Sequence, residues 1–256
     1  LVDCPLDHKD NYYSINFQAF EEELKNGVEA VVICNPHNPI GRVWTDGEME
    51  HIVDLCVQYG VYLLSDEIHA DFGMTRPYTT AGRFEKIHDR LVVYTAISKT
   101  FNMAGLGSSC MMIPNPELKQ KISDSYDACW MFGPCDLAFT AMEAAYTHGD
   151  AWVDQQLAYL EGNVETVNSF VAEHMPGVQV TKHEGTFLMW LDMTCFGKSS
   201  QELTSILAKE YGLALGDGSH YGTQAEGFMR LNIGCTRDTL IKGLEQMAMM
   251  YDKYVK

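Results

Sequence analysis

The chain has 256 residues, of which 46% are hydrophobic, enough for a sizeable globular core. Its formal net charge is −17 and no basic stripe offsets that charge, which excludes the usual nucleic-acid-binding classes. No apolar run is long enough to span a bilayer, so we expect a partner that is neither nucleic acid nor membrane.

The eight cysteines do not form the pattern of a disulfide framework. Cys34, Cys56 and Cys110 lie inside apolar stretches, where a free cysteine behaves as a small hydrophobic residue. The chain has no C-x-x-C pair and no signal-peptide pattern at its start. These features favour a reducing, cytoplasmic location.

Three short apolar runs in the first part of the chain are typical of strands buried on both faces. They occupy residues 30–34, 61–65 and 91–94. Between the first two runs, Thr45 and Glu48 form a capping-box pattern, and Gly60 has the position of a helix C-terminus. The sequence therefore predicts a βαβ unit within an open, parallel-rich sheet flanked by helices.

After the third apolar run, the predicted strands and helices no longer alternate one by one. The patterns predict strands at 107–113, 178–181, 186–191, 213–215 and 228–233, and helices from 117, at 136–148, at 151–175, at 201–211 and at 237–255. We expect residues 1–150 to form part of a larger α/β domain and residues 151–256 to form a smaller α+β domain.

Each of the first three strands is followed by polar residues that carry chemistry. Asn38 follows the first strand, Asp66 the second and Lys99 the third. Because loops at the carboxyl ends of parallel strands meet at one crevice, we expect these three side chains to converge. A lysine amine beside a carboxylate suits pyridoxal phosphate, whose aldehyde condenses with an amine and whose ring nitrogen needs an acidic partner.

Four segments together resemble the signatures of the fold-type I, pyridoxal-phosphate-dependent aminotransferase superfamily. They are NPHNPIGRVW (35–44), SDEIH (65–69), SKTFNMAGL (98–106) and FMRLNI (228–233). The order and spacing are similar to those of the cystathionine β-lyase (C–S lyase) branch of MalY and PatB type. The resemblance extends over nearly the whole chain and implies the fold-type I architecture.

The resemblance also implies roles for individual residues. Lys99 would bind the cofactor covalently and act as the catalytic base, and Asp66 would pair with its ring nitrogen. Asn38 would contact both the ring oxygen and the substrate, and Arg230 would hold the substrate carboxylate with its planar fork. His69 would contact the cofactor. It stands where many aminotransferases of the superfamily have tyrosine, and a histidine there resembles the lyase branch.

Each of these residues also has a simpler interpretation. Lys99 and Asp66 could be surface charges, and Arg230 could lie on the solvated face of an antiparallel sheet. Ser98 could bind the cofactor phosphate or only stabilise its loop. His69 could suggest a metal, but no second ligand follows at a suitable spacing, so we expect no metal site.

Enzymes of the resembled family are longer than this chain, and none of the expected N-terminal arm, phosphate-cradling turn or ring-stacking aromatic residue is recognisable in it. We therefore expect an N-terminally truncated member with an incomplete large domain and with strands exposed as sheet edges. We also expect this chain to bind the cofactor poorly or not at all. The resemblance implies a homodimer for the full-length protein.

The leading hypothesis is a pyridoxal-phosphate-dependent β-lyase that cleaves cystathionine or a cysteine-type thioether. An aminotransferase of class I or II would use the same residues and stays open as an alternative. A third alternative is that the chain is catalytically inert and serves as a structural or binding module.

Overall fold

A computed structural model describes residues 1–131 and 133–256 as two compact units. The first unit contains Leu1–Asp7, Ser14–His37 and Val43–Gln155, and the second contains His8–Tyr13, Asn38–Arg42 and Gln156–Lys256. The expected boundary at residue 150 does not account for two short early segments, which belong to the second unit. One of these segments carries Asn38.

The chain begins with a small hairpin and a capped helix. Strands β1 (Asp7–Lys9) and β2 (Tyr12–Ser14) form a two-stranded sheet, followed by helix α1 (Phe17–Lys25). The side chain of Asn16 accepts a hydrogen bond from the backbone N–H of Ala19 and so caps the start of α1.

The sheet of the first unit has the order β3-β4-β5-β6. Its strands are β3 (Ala30–Cys34), β4 (Tyr62–Asp66), β5 (Leu91–Thr95) and β6 (Cys110–Met112). The first three strands are parallel, and β6 pairs with β5 in the antiparallel direction. The parallel-rich α/β sheet predicted from the sequence is thus confirmed, although β6 is shorter than the predicted 107–113.

Helix α2 (Asp46–Tyr59) connects β3 to β4 and has the predicted ends. Thr45 and Glu48 form both hydrogen bonds of a capping box, and Gly60 closes the helix with a left-handed φ of 70°. Because glycine adopts this conformation without a Cβ clash, the helix ends at a defined residue. Its inner face is fully buried and contains Met49, Ile52, Val53 and Cys56.

The strands differ in burial, which corrects one expectation. Strand β5 is buried as predicted, with Leu91, Val92 and Val93 almost inaccessible. Strand β3 is not buried on both faces, because the side chain of Val32 is 72% exposed. Within the described residues β3 pairs with β4 alone, so it forms an edge of the sheet, which agrees with the expectation of strands exposed as sheet edges.

Four helices lie between β5 and the sheet of the second unit. They are α3 (Ile97–Thr100), α4 (Pro116–Ala128), α5 (Asp136–His148) and α6 (Asp150–His174). The last three agree with the predicted helices, and Asn115 caps α4 ahead of a proline in its first turn. Helix α6 begins in the first unit and continues into the second.

The second unit is built on an antiparallel sheet with the order β7-β8-β10-β9. Its elements are β7 (Gln179–Val180), β8 (Leu188–Asp192), α7 (Ser200–Tyr211), β9 (Gly216–Asp217), β10 (Phe228–Asn232) and α8 (Arg237–Tyr254). Met189, Leu191 and Leu231 from the sheet are buried, as are Leu244 and Met247 of α8. The strand predicted at 213–215 is wrong, because the pairing with β10 occurs at residues 216–217.

Two further properties concern the chain as a whole. Among the described residues, no helix combines the length and the apolar character needed to cross a bilayer. All eight cysteines are free thiols, and Cys56 is fully buried among apolar side chains. Burial raises the pKa of Cys56 to about 12, so its thiol stays protonated at neutral pH.

Candidate active site

Three of the predicted site residues lie at or just after the carboxyl ends of β4 and β5. Asp66 is the last residue of β4 and lies opposite Tyr94 of β5. The backbone pairing continues past the strand ends, since Asn35 N–H donates to Asp66 O over 2.9 Å and Glu67 N–H donates to Tyr94 O over 2.8 Å. Ser98 and Lys99 follow on α3, directly after β5. Asp66, Ser98 and Lys99 therefore lie on the side of the sheet where the parallel strands end.

A cavity of about 360 Å³ lies on one face of this sheet, next to Asp66. Its walls are mostly apolar and are formed by Val32, Leu64, Asp66, Ile68, Tyr94, Thr95, Ala96 and Ser109. Its volume falls in the usual range for a small-molecule site, roughly 300–1,000 Å³. Lys99 follows Ala96 of the wall by three residues.

The carboxylate of Asp66 is oriented by its own turn. Its Oδ1 atom accepts a hydrogen bond from the backbone N–H of Ile68 over 3.1 Å. Within the described part of the chain, its Oδ2 atom accepts no hydrogen bond. One oxygen therefore fixes the side chain, and the other is available to a group inside the cavity.

Glu67 has a structural role and not a place in the cavity. It is 3% exposed and accepts hydrogen bonds from Ser65 Oγ (2.8 Å), from Ala81 N–H (2.9 Å) and from the Tyr78 hydroxyl. Burial, with the charge of Glu67 adding to it, raises the pKa of Tyr78, so this hydroxyl stays a donor. Glu67 thus fixes the segment after Tyr78 to the end of β4, beside Asp66.

The short helix that carries Lys99 is held from both sides of that residue. Ile97 and Thr100 are buried, and the Thr100 hydroxyl donates to Asp71 Oδ2 over 2.6 Å. The indole N–H of Trp152 donates to the Thr100 carbonyl over 3.1 Å. These contacts fix the backbone of α3, and Lys99 on it is half-buried.

Ser98 and His69 occupy different environments. Ser98 is half-buried on α3, next to Lys99. His69 is 2% exposed and precedes a 3₁₀ turn, with its ring 6.1 Å from the ring of Phe72. It is not among the residues that line the cavity beside Asp66, and its contact with a cofactor stays a prediction.

The second unit brings together the last two of the six predicted site residues, Asn38 and Arg230. Arg230, in the middle of β10, donates from Nη1 to Oδ1 of Asn38 over 2.9 Å. The two residues are 192 positions apart in the sequence, so this contact depends on the tertiary structure and not on the local sequence. The predicted approach of Asn38 to Asp66 and Lys99 stays a prediction.

A buried ion pair fixes the segment that contains Asn38. Arg42 donates from Nε to Glu184 Oε2 over 2.8 Å, and both side chains are inaccessible to solvent. Arg42 also donates to the carbonyl of Tyr13 and lies over the ring of Tyr12. The backbone N–H groups of Glu184 and Gly185 both donate to Gly41 O, which adds two further links.

His183 packs against the same segment. A Cβ atom at Gly41, whose φ is 71°, would lie 2.8 Å from Cδ2 of His183, so only glycine fits there. Burial lowers the pKa of His183 to about 4, and the ring is therefore neutral at physiological pH. Its Nε2 atom accepts or donates no hydrogen bond within the described residues.

Sequence reasoning missed the buried pair of Arg42 and Glu184 and assigned no partners to Glu67. Arg42 stands within the first quoted motif, and Glu184 lies 142 residues away in a stretch with no motif assigned. The charge of Glu184 between apolar strands was the one available signal, since a carboxylate in such a place needs a partner. A single sequence does not identify that partner.

A family model, curated relatives and solved structures all match this chain over most of its length. A family model described as aminotransferase class I and II matches residues 1–247. Cystathionine β-lyase PatB of Bacillus subtilis is 37% identical over 250 residues, which are 96% of this chain and 65% of PatB.

Two solved structures superpose closely. Cystalysin from Treponema denticola, which contains a pyridoxal 5'-phosphate cofactor, has a TM-score of 0.94 and 30% identity over 98% of this chain and 65% of its own. The pyridoxal-phosphate-bound C–S lyase from Staphylococcus hominis has a TM-score of 0.89 and 27% identity, over 97% of this chain and 64% of its own. The chain thus spans about 65% of the length of PatB and of cystalysin.

Proposed function

The chain belongs to the class I and II aminotransferase family, and from that membership we propose that it acts as a pyridoxal-phosphate-dependent C–S β-lyase. The proposed substrate is cystathionine or a cysteine-type thioether, and the products are pyruvate, ammonia and a thiol. The observation that carries the proposal is that Asp66, at the end of β4, lines a cavity, and that Lys99 follows the neighbouring strand β5 on the short helix α3. The similarity to PatB and to the S. hominis C–S lyase supports the lyase reaction over other reactions of the family.

The residues present fit pyridoxal phosphate. The cofactor is a flat aromatic ring with one basic nitrogen, and the cavity offers mostly apolar walls with one carboxylate. The Oδ2 atom of Asp66 is the acceptor that a protonated ring nitrogen requires. Lys99 supplies the amine for covalent attachment, and Ser98 beside it has a hydroxyl that can donate to a phosphate.

Bound pyridoxal phosphate supplies an electron sink for negative charge at the α-carbon of an amino acid. Asp66 would keep that sink effective, because its negative charge holds the ring nitrogen protonated. Lys99 would hold the cofactor through its ε-amine, and the same amine would remove the α-proton of the substrate as a general base. The fixed backbone around Thr100 limits the positions from which the amine can act.

Loss of the α-proton allows the β-substituent to leave. In the overall reaction the C–S bond breaks and its electron pair leaves with the thiolate, and Lys99, having taken the α-proton, would be the group that returns a proton. Hydrolysis of the remaining three-carbon enamine gives pyruvate and ammonia. No external oxidant or keto acid is needed, since the thiolate carries away the electrons that the α-carbon supplied.

The second unit would hold the substrate carboxylate. Arg230 provides a planar guanidinium that can bind both carboxylate oxygens. Asn38 accepts a hydrogen bond from Arg230 through Oδ1, which leaves its Nδ2 hydrogens to donate to the substrate or to the cofactor ring oxygen. His69 would contact the cofactor, as the family resemblance implies.

An aminotransferase reaction is the second candidate, favoured by the family model itself. In that reaction Lys99 would both remove and return a proton, and no β-substituent would leave. Product analysis separates the two. We expect pyruvate and ammonia in equal amounts from cystathionine alone, whereas a requirement for added keto acid would replace the lyase proposal by the aminotransferase one. The absence of both reactions from protein saturated with cofactor would favour an inert module.

Asp66→Asn is expected to lower turnover of the C–S lyase reaction by about 10²–10³-fold, because an amide does not hold the ring nitrogen in its charged state. Its effect on folding should be small, since the Oδ1 atom of asparagine can still accept from the N–H of Ile68. Turnover at saturating cofactor and the urea midpoint measure the two effects. Asp89→Asn, at an exposed carboxylate, is the matched control. Near-normal turnover of Asp66→Asn would refute the role of Asp66.

Three broader features belong to the same proposal. Residues 1–150 would contribute to the large cofactor-binding domain and residues 151–256 to the small domain, with the two early segments described above joined to the latter. The full-length protein would be a homodimer in the cytoplasm. Size-exclusion chromatography with light scattering would test the assembly.

A further inference from the structure

The guanidinium of Arg230 lies in a slot that the second unit builds around it. In the sheet, Arg230 has Trp190 of β8 directly opposite on one side and Gly216 of β9 on the other. One neighbour is large and buried, and the other has no side chain. The arginine side chain therefore has room only on the side of Gly216.

The absence of a side chain at residue 216 is what makes that room. A Cβ atom placed there would lie 3.2 Å from Cβ and 3.3 Å from Nε of Arg230. These separations are tighter than ordinary contacts, so an alanine would push the arginine side chain away from β9. The φ of Gly216 is not in the left-handed region, and its small size matters here because of the close approach alone.

Tyr221 covers the guanidinium. The Cζ atom of Arg230 lies 5.1 Å from the centre of the Tyr221 ring, within the range of a cation–π contact. The ring of Trp190 packs edge-to-face against Tyr221, with 5.6 Å between the ring centres, and so limits the positions that the Tyr221 ring can adopt. Trp190 is fixed in turn, because its indole N–H donates to the Tyr13 hydroxyl over 3.2 Å.

These contacts leave one edge of the guanidinium available. Nη1 donates to Asn38, and within the described residues neither Nε nor Nη2 donates a hydrogen bond. Nε and Nη2 form a parallel pair of donors that matches the two oxygens of a carboxylate. The slot therefore fixes the plane of the fork and presents its donor pair.

We propose that Gly216 and Tyr221 are positioning residues that hold Arg230 with its Nε–Nη2 edge directed at the substrate α-carboxylate. This inference rests on the proposed function, because it assigns the carboxylate of an amino-acid substrate to Arg230. It adds two residues that the sequence motifs do not contain. Both act through Arg230 and neither is expected to touch the reacting bonds.

The test compares two ligands on the cofactor-loaded protein. The first is 2-aminoisobutyric acid, which has no α-hydrogen to lose, and the second is its carboxamide, which lacks the carboxylate. Isothermal titration gives a dissociation constant for each ligand with each variant. Kinetics with cystathionine then separate KM from kcat.

Gly216→Ala is expected to weaken binding of the acid by about tenfold, because the displaced fork no longer faces the carboxylate. Tyr221→Leu is expected to weaken it roughly threefold to tenfold, from loss of the cation–π contact. Binding of the carboxamide should change less than about twofold in both variants. KM should rise by similar factors, with kcat nearly constant.

Two matched controls accompany these variants. Tyr221→Phe keeps the aromatic face and should behave as the unsubstituted protein does. Gly47→Ala, where a Cβ would meet nothing within 4 Å, measures the effect of a glycine replacement elsewhere. Because Tyr221 is partly exposed, its variants should fold even if Gly216→Ala does not.

The outcomes distinguish this inference from the proposed function. Equal losses for the acid and the carboxamide, or no loss for either, would overturn the positioning role while leaving the cofactor assignment intact. Failure of the unsubstituted, cofactor-treated protein to bind the acid at all would overturn both. A loss confined to the acid in either variant, with Tyr221→Phe unchanged, supports the role.

Discussion

Lys99→Ala is expected to lower lyase turnover by on the order of 10⁴-fold or more. The substitution removes both the amine that attaches the cofactor and the base that takes the α-proton. It should leave the fold in place, because the buried contacts of α3 are made by Ile97 and Thr100 and not by Lys99. Turnover measured with saturating cofactor and the far-UV circular dichroism spectrum check the two parts.

Lys121→Ala is the matched control for Lys99→Ala, since Lys121 is an exposed lysine on α4. It should retain full turnover. Turnover of Lys99→Ala within about tenfold of the unsubstituted protein would refute the covalent role of Lys99, because no other residue of the site offers an amine.

Glu184→Ala is expected to lower the free energy of unfolding by about 3–5 kcal/mol. The substitution removes the buried carboxylate that pairs with Arg42, and breaking an ion pair whose two side chains are both inaccessible to solvent is strongly destabilising. Because Arg42 ends the segment that carries Asn38, loosening of that segment should accompany the loss. Urea denaturation followed by fluorescence measures the free energy.

Two further variants show whether the buried charge is the cause. Asp252→Ala breaks an exposed ion pair with Lys256 and should cost less than about 1 kcal/mol. The double variant Arg42→Met with Glu184→Leu removes both charges and should recover much of the lost stability. A loss below about 1 kcal/mol for Glu184→Ala would contradict the importance of the buried pair.

Local patterns predicted the elements of the first unit well. The capping box at Thr45 and the C-terminal Gly60 bracket α2, and the three apolar runs coincide with β3, β4 and β5 within a residue. These features depend on side-chain–backbone contacts a few residues apart and on uninterrupted apolar stretches, which a single sequence displays directly. The positions of Asp66 and Lys99 at the strand ends followed from them.

Features that depend on distant partners were not predictable. Strand β9 has two residues, and its position is set by pairing with β10 and not by its own composition, since Gly216 has a low strand propensity. The exposure of Val32 depends on which strands flank β3. The membership of 8–13 and 38–42 in the second unit comes from contacts with residues more than 140 positions away.

The site shows the same division. The motifs singled out Lys99, Asp66, Asn38 and Arg230. In the structure Asp66 ends β4, Lys99 lies on α3 just after β5, and Arg230 donates a hydrogen bond to Asn38. The slot around Arg230 was not visible, because Gly216 and Tyr221 matter only through the register of β9 and the path of the loop that follows. A glycine is too common for its spacing alone to indicate a close approach.

The most direct test of the central assignment is chemical trapping of the cofactor. The protein is incubated with pyridoxal phosphate, reduced with borohydride and digested, and the modified peptide is identified by mass spectrometry. We expect one dominant pyridoxyl adduct, on Lys99, and its loss in Lys99→Ala but not in Lys121→Ala. Adducts distributed over the exposed lysines, with none enriched at Lys99, would contradict the assignment of Lys99 as the cofactor-binding residue.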